Sequence, residues 1–240
     1  MNLSDHLEEL RRRLIVVLIT VGLFSVVCFF LSDQILELVV LPIMRTVDSL
    51  YFLSPYEAFM TKVKLSLVAG IVLSLPIIFY QLWKFVSPGL YSNEREKVLP
   101  LVFISTGLFL MGVLFAYYGI IPFALNFFLN FQSRSLVPLI SIGSYISFFL
   151  SFVLIFGIVF ELPVILLGLI ALGVMKTDLL IAQRKVAIVL IFIAAAVLTP
   201  TVDIISQFLL AIPLWVLFEL SIFVGKKIER KMDLNRNNNI

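Results

Sequence analysis

Cysteine and histidine are almost missing from this chain. Cys28 and His6 are the sole examples in 240 residues. One cysteine excludes an intramolecular disulfide, and Cys28, inside an apolar run, reads as a packing or lipid-facing thiol. One histidine leaves no material for a histidine-based metal site or triad within one chain. The sequence also contains no glycine-rich phosphate loop, no HExxH and no GxGxxG. No catalytic residue, cofactor site or metal site is assigned, and an enzyme reading has no residues to rest on. Nothing points to nucleic acid.

Charge is scarce as well. Charged residues make up 14% of the chain and hydrophobic ones 61%, with mean hydropathy +1.12. A soluble domain is roughly a quarter charged and about 45–50% apolar. The period-two alternation of an outer-membrane barrel is absent. What is there instead is a series of apolar blocks of near-membrane length, the mark of an all-α polytopic membrane protein. Spans are expected at about 14–31, 60–82, 98–121, 145–170, 186–199 and 204–224. They form a single transmembrane domain over 1–224, followed by a basic tail, 225–240, expected to be disordered. The first run exceeds the usual signal-peptide core and no A-x-A-type site follows it, so it reads as a retained helix.

The basic residues are distributed unevenly. Fourteen of the 18 Lys and Arg lie before span one, between spans two and three, between four and five, or after six. The other side has Arg45, Lys62, Lys64 and Arg134. The excess of Lys and Arg marks the cytoplasmic side, so both termini are expected there. "DQILELVVLPIM" and "IPFALNFFLNFQ" read as short interfacial helices on the opposite face. Span five is short: Val186 to Leu198 supplies 13 uncharged residues, about 20 Å of helix against about 30 Å of hydrocarbon. Pro76, Pro100, Pro122, Pro163 and Pro213 fall inside or at the ends of spans and predict bent helices, which can enclose a concave surface.

A few polar residues stand out against this background. Glu161, in "FGIVFELPVI", is about ten residues from the end of span four. An acid at mid-helix costs about 2.5–3.5 kcal/mol on the insertion scale, which Asp illustrates, while a Leu returns only about 0.3–0.6. Such a group faces the bundle interior or water and marks a functional path. Gln81, Ser206 and Gln207 suit hydrogen bonding between helices. Asp203 is placed to cap span six, and Glu219 to pair with Lys226 or Lys227. At the N-terminus Glu8 faces Arg11 and Arg12, and Glu9 faces Arg12 and Arg13, at i+3 and i+4. Spacing alone reads these pairs as a salt-bridged anchor. "SPGLYSNEREK" is a loop broken at Pro88-Gly89, and its Glu94 and Glu96 would ordinarily be solvated.

Taken together, "HLEELRRRL", "FVSPGLYSNER", "FGIVFELPV" and "LTP…D…SQ…LLAIP" resemble, in order, the signatures of the TatC family, the multispanning subunit of the twin-arginine protein translocase. The turn "TPTVD" departs from a family form closer to "TPPD". The resemblance implies six spans in the bacterial inner membrane with both termini on the cytoplasmic side. It also implies a receptor and assembly core for export of folded proteins with two-arginine signal peptides. Glu9 and Glu94 are then the arginine-binding acids; the motif match, not spacing, selects Glu94 over Glu96. Phe85, Pro88, Leu90, Tyr91 and Arg95 shape the pocket, and Arg11 and Arg13 position the acids. Glu161, Gln207 and Gln81 are polar points toward single-span TatA/TatB-type partners. Pro42 matches an external-loop proline, and a homo-oligomer within a complex is compatible. The competing expectation is a proton-coupled small-molecule transporter with Glu161 as relay.

Overall fold

The computed structural model describes residues 3–47, 49–86, 98–130, 139–199 and 203–237. Its elements are α1 (Leu3–Phe30), α2 (Ser32–Met44), α3 (Glu57–Val86), α4 (Val98–Phe115), a π-helical turn (Ala116–Ile120), α5 (Ile121–Leu129), α6 (Ile142–Val159), α7 (Leu162–Ala171), α8 (Thr177–Ala182), α9 (Arg184–Leu198) and α10 (Ile204–Asn237). Among the described residues the regular elements are all helical. The one pairing of extended backbone is an isolated bridge between Tyr51 and Ser141.

Among the described residues five stretches are long and apolar enough to cross a membrane: His6–Phe30, Glu57–Phe85, Leu99–Leu129, Ile142–Ala171 and Ile204–Lys231. They cover five of the six expected spans. The expected span 186–199 falls on α9, whose 15 residues reach only about 22 Å. The expected disorder of 225–240 needs correction, because α10 continues to Asn237. Once a helix is nucleated each further residue adds a hydrogen bond, and the Lys, Glu, Arg and Met of this segment are good helix formers.

Two prolines explain the interruptions. Pro163 has no N–H for the carbonyl four residues back, and α6 gives way to α7 just before it. Pro122 does the same to Tyr118, which lies in the π-helical turn.

Where one domain was expected over 1–224, the chain divides into two compact units, Met1–Leu154 and Ile155–Ile240. In the first, α1 lies against α3 at very short range. A Cβ on Gly70 would sit 2.3 Å from Ser25 Oγ and 2.6 Å from Ser25 N, so only glycine permits the approach. α3 and α4 share a core of Leu75, Phe79, Val102 and Phe109, and Trp83 Nε1 donates to Ser105 Oγ at 3.1 Å. Glu57 ties the far end together: it accepts from Leu53 N at 2.6 Å and Gly143 N at 2.8 Å, and Lys62 pairs with Asp33 at 2.6 Å.

In the second unit α10 contacts α7, α8 and α9. Glu229 accepts from Thr177 N at 2.8 Å. Glu219 pairs with Arg184 of α9 at 2.7 Å, not with Lys226 or Lys227. Those lysines follow on the same helix as Glu219, and the neighbouring helix supplies a nearer guanidinium.

Candidate functional site

The start of α1 and the end of α3 build one polar cluster in the first unit. His6, Glu9 and Arg13 recur at i, i+3 and i+7, so a 3.6-residue period sets them on one face. Arg13 Nε donates to Glu9 Oε1 at 3.0 Å, and Arg13 Nη2 reaches the same oxygen. Arg13 Nη1 donates to Gln81 Oε1 at 3.2 Å. The His6 and Phe85 rings stack with centroids 4.3 Å apart and planes 19° from parallel. Gln81 and Phe85 are themselves i and i+4 on α3. Lys84 Nζ lies 5.5 Å from the Tyr80 ring centroid, within cation–π range.

The consequence for Glu9 is chemical asymmetry. Its Oε1 is committed to Arg13. Its Oε2 is buried and has no hydrogen-bond partner among the described residues. The two side chains are 23% and 15% exposed, so screening by water and salt is weaker than at a free surface. A carboxylate held by one oxygen keeps the other for an incoming donor, and a guanidinium is the donor whose geometry matches a carboxylate best.

Of the expected site residues, Glu9, Arg13 and Phe85 thus come together, and Gln81 joins them through Arg13. Arg11 is exposed. Glu8 forms no ion pair with Arg11 or Arg12 among the described residues, and the local pair that does form is Glu9–Arg13. Glu94, Pro88, Leu90, Tyr91 and Arg95 lie outside the described residues. His6 enters the cluster unforeseen, although its helical spacing to Glu9 and Arg13 was the available signal. Glu57 was also passed over; its signal is the "SPYE" capping pattern.

In the second unit Glu161 falls at the break between α6 and α7 and is 8% exposed. Its carbonyl accepts from Ile165 N at 3.0 Å. Gln207 Nε2 donates to the Phe192 carbonyl at 3.0 Å, joining α10 to α9. Ser206 N donates to Asp203 Oδ1 at 2.7 Å, the expected cap of α10. Among the described residues no three His, Cys, Asp or Glu side chains gather to hold a metal.

A family model described as "Sec-independent protein translocase protein (TatC)" matches residues 5–213. The chain is 41% identical over 231 residues to the Sec-independent protein translocase protein TatC of Carboxydothermus hydrogenoformans, covering 96% of this chain and 95% of that one. It is 43% identical over 237 residues to the TatC protein of Helicobacter pylori, covering 99% and 92%. Against a crystal structure of the twin-arginine translocase receptor TatC in DDM it superposes with a TM-score of 0.83 at 39% identity, over 92% of this chain and 99% of that one.

Proposed function

We infer, from the premise that this chain belongs to the TatC family of Sec-independent protein translocase proteins, that its Glu9 cluster receives the arginines of two-arginine signal peptides. The chain is a multispanning helical membrane subunit of the twin-arginine protein translocase and serves protein transport. The observation that carries the peptide reading is Glu9 itself: Oε1 fixed by Arg13, Oε2 buried and unengaged among the described residues. One arginine of the signal peptide docks on Oε2. Glu94, by its place in "FVSPGLYSNER", takes the second. Phe85, stacked on His6, forms an apolar side of the pocket. Arg13 and Gln81 are positioning residues.

The same reading assigns both termini to the cytoplasmic side of the inner membrane, following the Lys and Arg distribution. Buried Glu161 and half-buried Gln207 become the polar contacts for the membrane helices of single-span TatA/TatB-type partners. A proton-coupled transporter has no observation in its favour.

The test is peptide affinity. Glu9→Ala and Glu94→Ala are each expected to weaken a two-arginine peptide by about 10- to 100-fold, the range of a lost charged hydrogen bond. A two-lysine peptide is expected to bind less well than the two-arginine one, since ammonium lacks the fork of donors. Affinity is expected to fall with rising salt. Wild-type affinity in both alanine variants would overturn the assignment.

A further inference from the structure

We propose that the first unit carries a phospholipid-binding pocket at the end of α1 remote from Glu9. The phosphate is held by Arg45 and Tyr118, and an acyl chain lies along α2. A cavity of about 220 Å³ is lined by Leu38, Leu41, Pro42, Arg45, Tyr117, Tyr118 and Pro122. Leu38, Leu41 and Pro42 of α2 and Arg45, its C-terminal capping residue, follow i, i+3, i+4 and i+7, so they occupy one face. The facing wall is the π-helical turn and the start of α5.

Two prolines build this wall. Pro42 has no N–H to offer the Leu38 carbonyl four residues back. Tyr117 of the π-helical turn replaces it, with its hydroxyl donating to Leu38 O at 2.8 Å. Pro122 perturbs the helix at Tyr118 in the same way. The Tyr117 and Tyr118 rings meet edge to face, with centroids 4.8 Å apart. Tyr117 is thereby committed to the backbone of α2. Tyr118 is 74% exposed, and its hydroxyl makes no hydrogen bond among the described residues.

Charge selects the occupant. Arg45 is exposed and forms no ion pair among the described residues. The exposed acid Glu37 lies eight residues away, about 12 Å along the helix. The remaining lining is apolar: Leu38, Leu41, Pro42 and Pro122. α2 begins two residues after the apolar run of α1 ends, which sets the pocket at a membrane–water boundary, where Tyr and Arg are at home. One guanidinium and one phenol above an apolar slot match an anionic head joined to an acyl chain. A phosphate alone would leave the slot unfilled.

The experiment is native mass spectrometry of the purified full chain in detergent, titrated with dioctanoyl phosphatidylglycerol. Wild type is expected to take up one lipid saturably, with inorganic phosphate unable to displace it. Arg45→Gln removes the charge and Leu41→Trp fills the slot without altering charge. Each is expected to weaken binding about tenfold, while Lys64→Gln, an exposed cation elsewhere in the unit, leaves it unchanged. Unaltered binding in Arg45→Gln or in Leu41→Trp would overturn the pocket. So would displacement by inorganic phosphate, or an equal loss in Lys64→Gln, which would mean general surface charge. Thermal unfolding checks each variant, and Arg45→Lys with Tyr118→Phe replaces Arg45→Gln if that variant unfolds.

Discussion

Arg13 makes contacts that a basic anchor before a membrane helix does not require. A guanidinium has five donors in a rigid fork. Here two reach Glu9 Oε1 and a third reaches Gln81. This fixes which carboxylate oxygen remains open, and it makes Gln81 a test of positioning. Gln81→Leu removes one hydrogen bond without changing charge. It is expected to weaken a two-arginine peptide by about 2- to 10-fold, the scale of one ordinary hydrogen bond. Isothermal titration reads the effect. Gln81→Asn, which keeps an amide, is expected to recover part of the loss. A fall in thermal stability with unchanged affinity would reduce Gln81 to a tie between helices.

Among elements, the α1–α3 contact governs the site, because Glu9 and Arg13 stand on one helix and Gln81 and Phe85 on the other. Gly70 and Ser25 set that contact. Gly70→Val places carbon atoms where Ser25 N and Cα already lie, 2.6 and 2.7 Å from the first added carbon. Overpacking of this kind costs about 1–3 kcal/mol. The expected result is a lower unfolding midpoint together with weaker peptide binding. Ser25→Gly is not expected to rescue it, since the clash is with backbone. At α10 the relevant feature is the cap. Asp203→Ala is expected to cost about 1 kcal/mol in a detergent unfolding assay, and Asp203→Asn much less, because Asn caps about as well as Asp. Equal losses in the two variants would count against the cap as the reason for Asp203.

For the whole molecule, single cysteines read the sidedness of each segment in the membrane. Cys28 is buried, so Cys28→Ser provides a background in which single cysteines report sidedness. With both termini inside, Glu8→Cys and Arg230→Cys are expected to react with a membrane-impermeant thiol reagent from the cytoplasmic side only. Leu53→Cys, exposed in the segment before α3, is expected to react from the other. Labelling of positions 8 and 230 from opposite sides would reverse the orientation argument and imply an odd number of crossings. The short α9 makes that measurement informative, since among the described residues five stretches meet the length of a span and α9 does not.

The sequence by itself determined the helical membrane class, the long spans, the short α9 and the Asp203 cap. These depend on local properties: apolar run length, helical period and a side chain three residues from the N–H it accepts. The Glu9–Arg13 pair was legible for the same reason, being i and i+4 on one helix. Tertiary structure alone decided that Gln81 meets Arg13 across 68 residues, that Phe85 stacks on His6, and that Arg184 claims Glu219. No local period encodes these contacts, because they depend on the register at which two helices lie side by side. That register is set by Gly70 against Ser25. It was also tertiary structure that made Pro42 and Pro122 into a pocket. A proline frees a carbonyl wherever it occurs, and only the fold supplies the hydroxyl of Tyr117 that answers it.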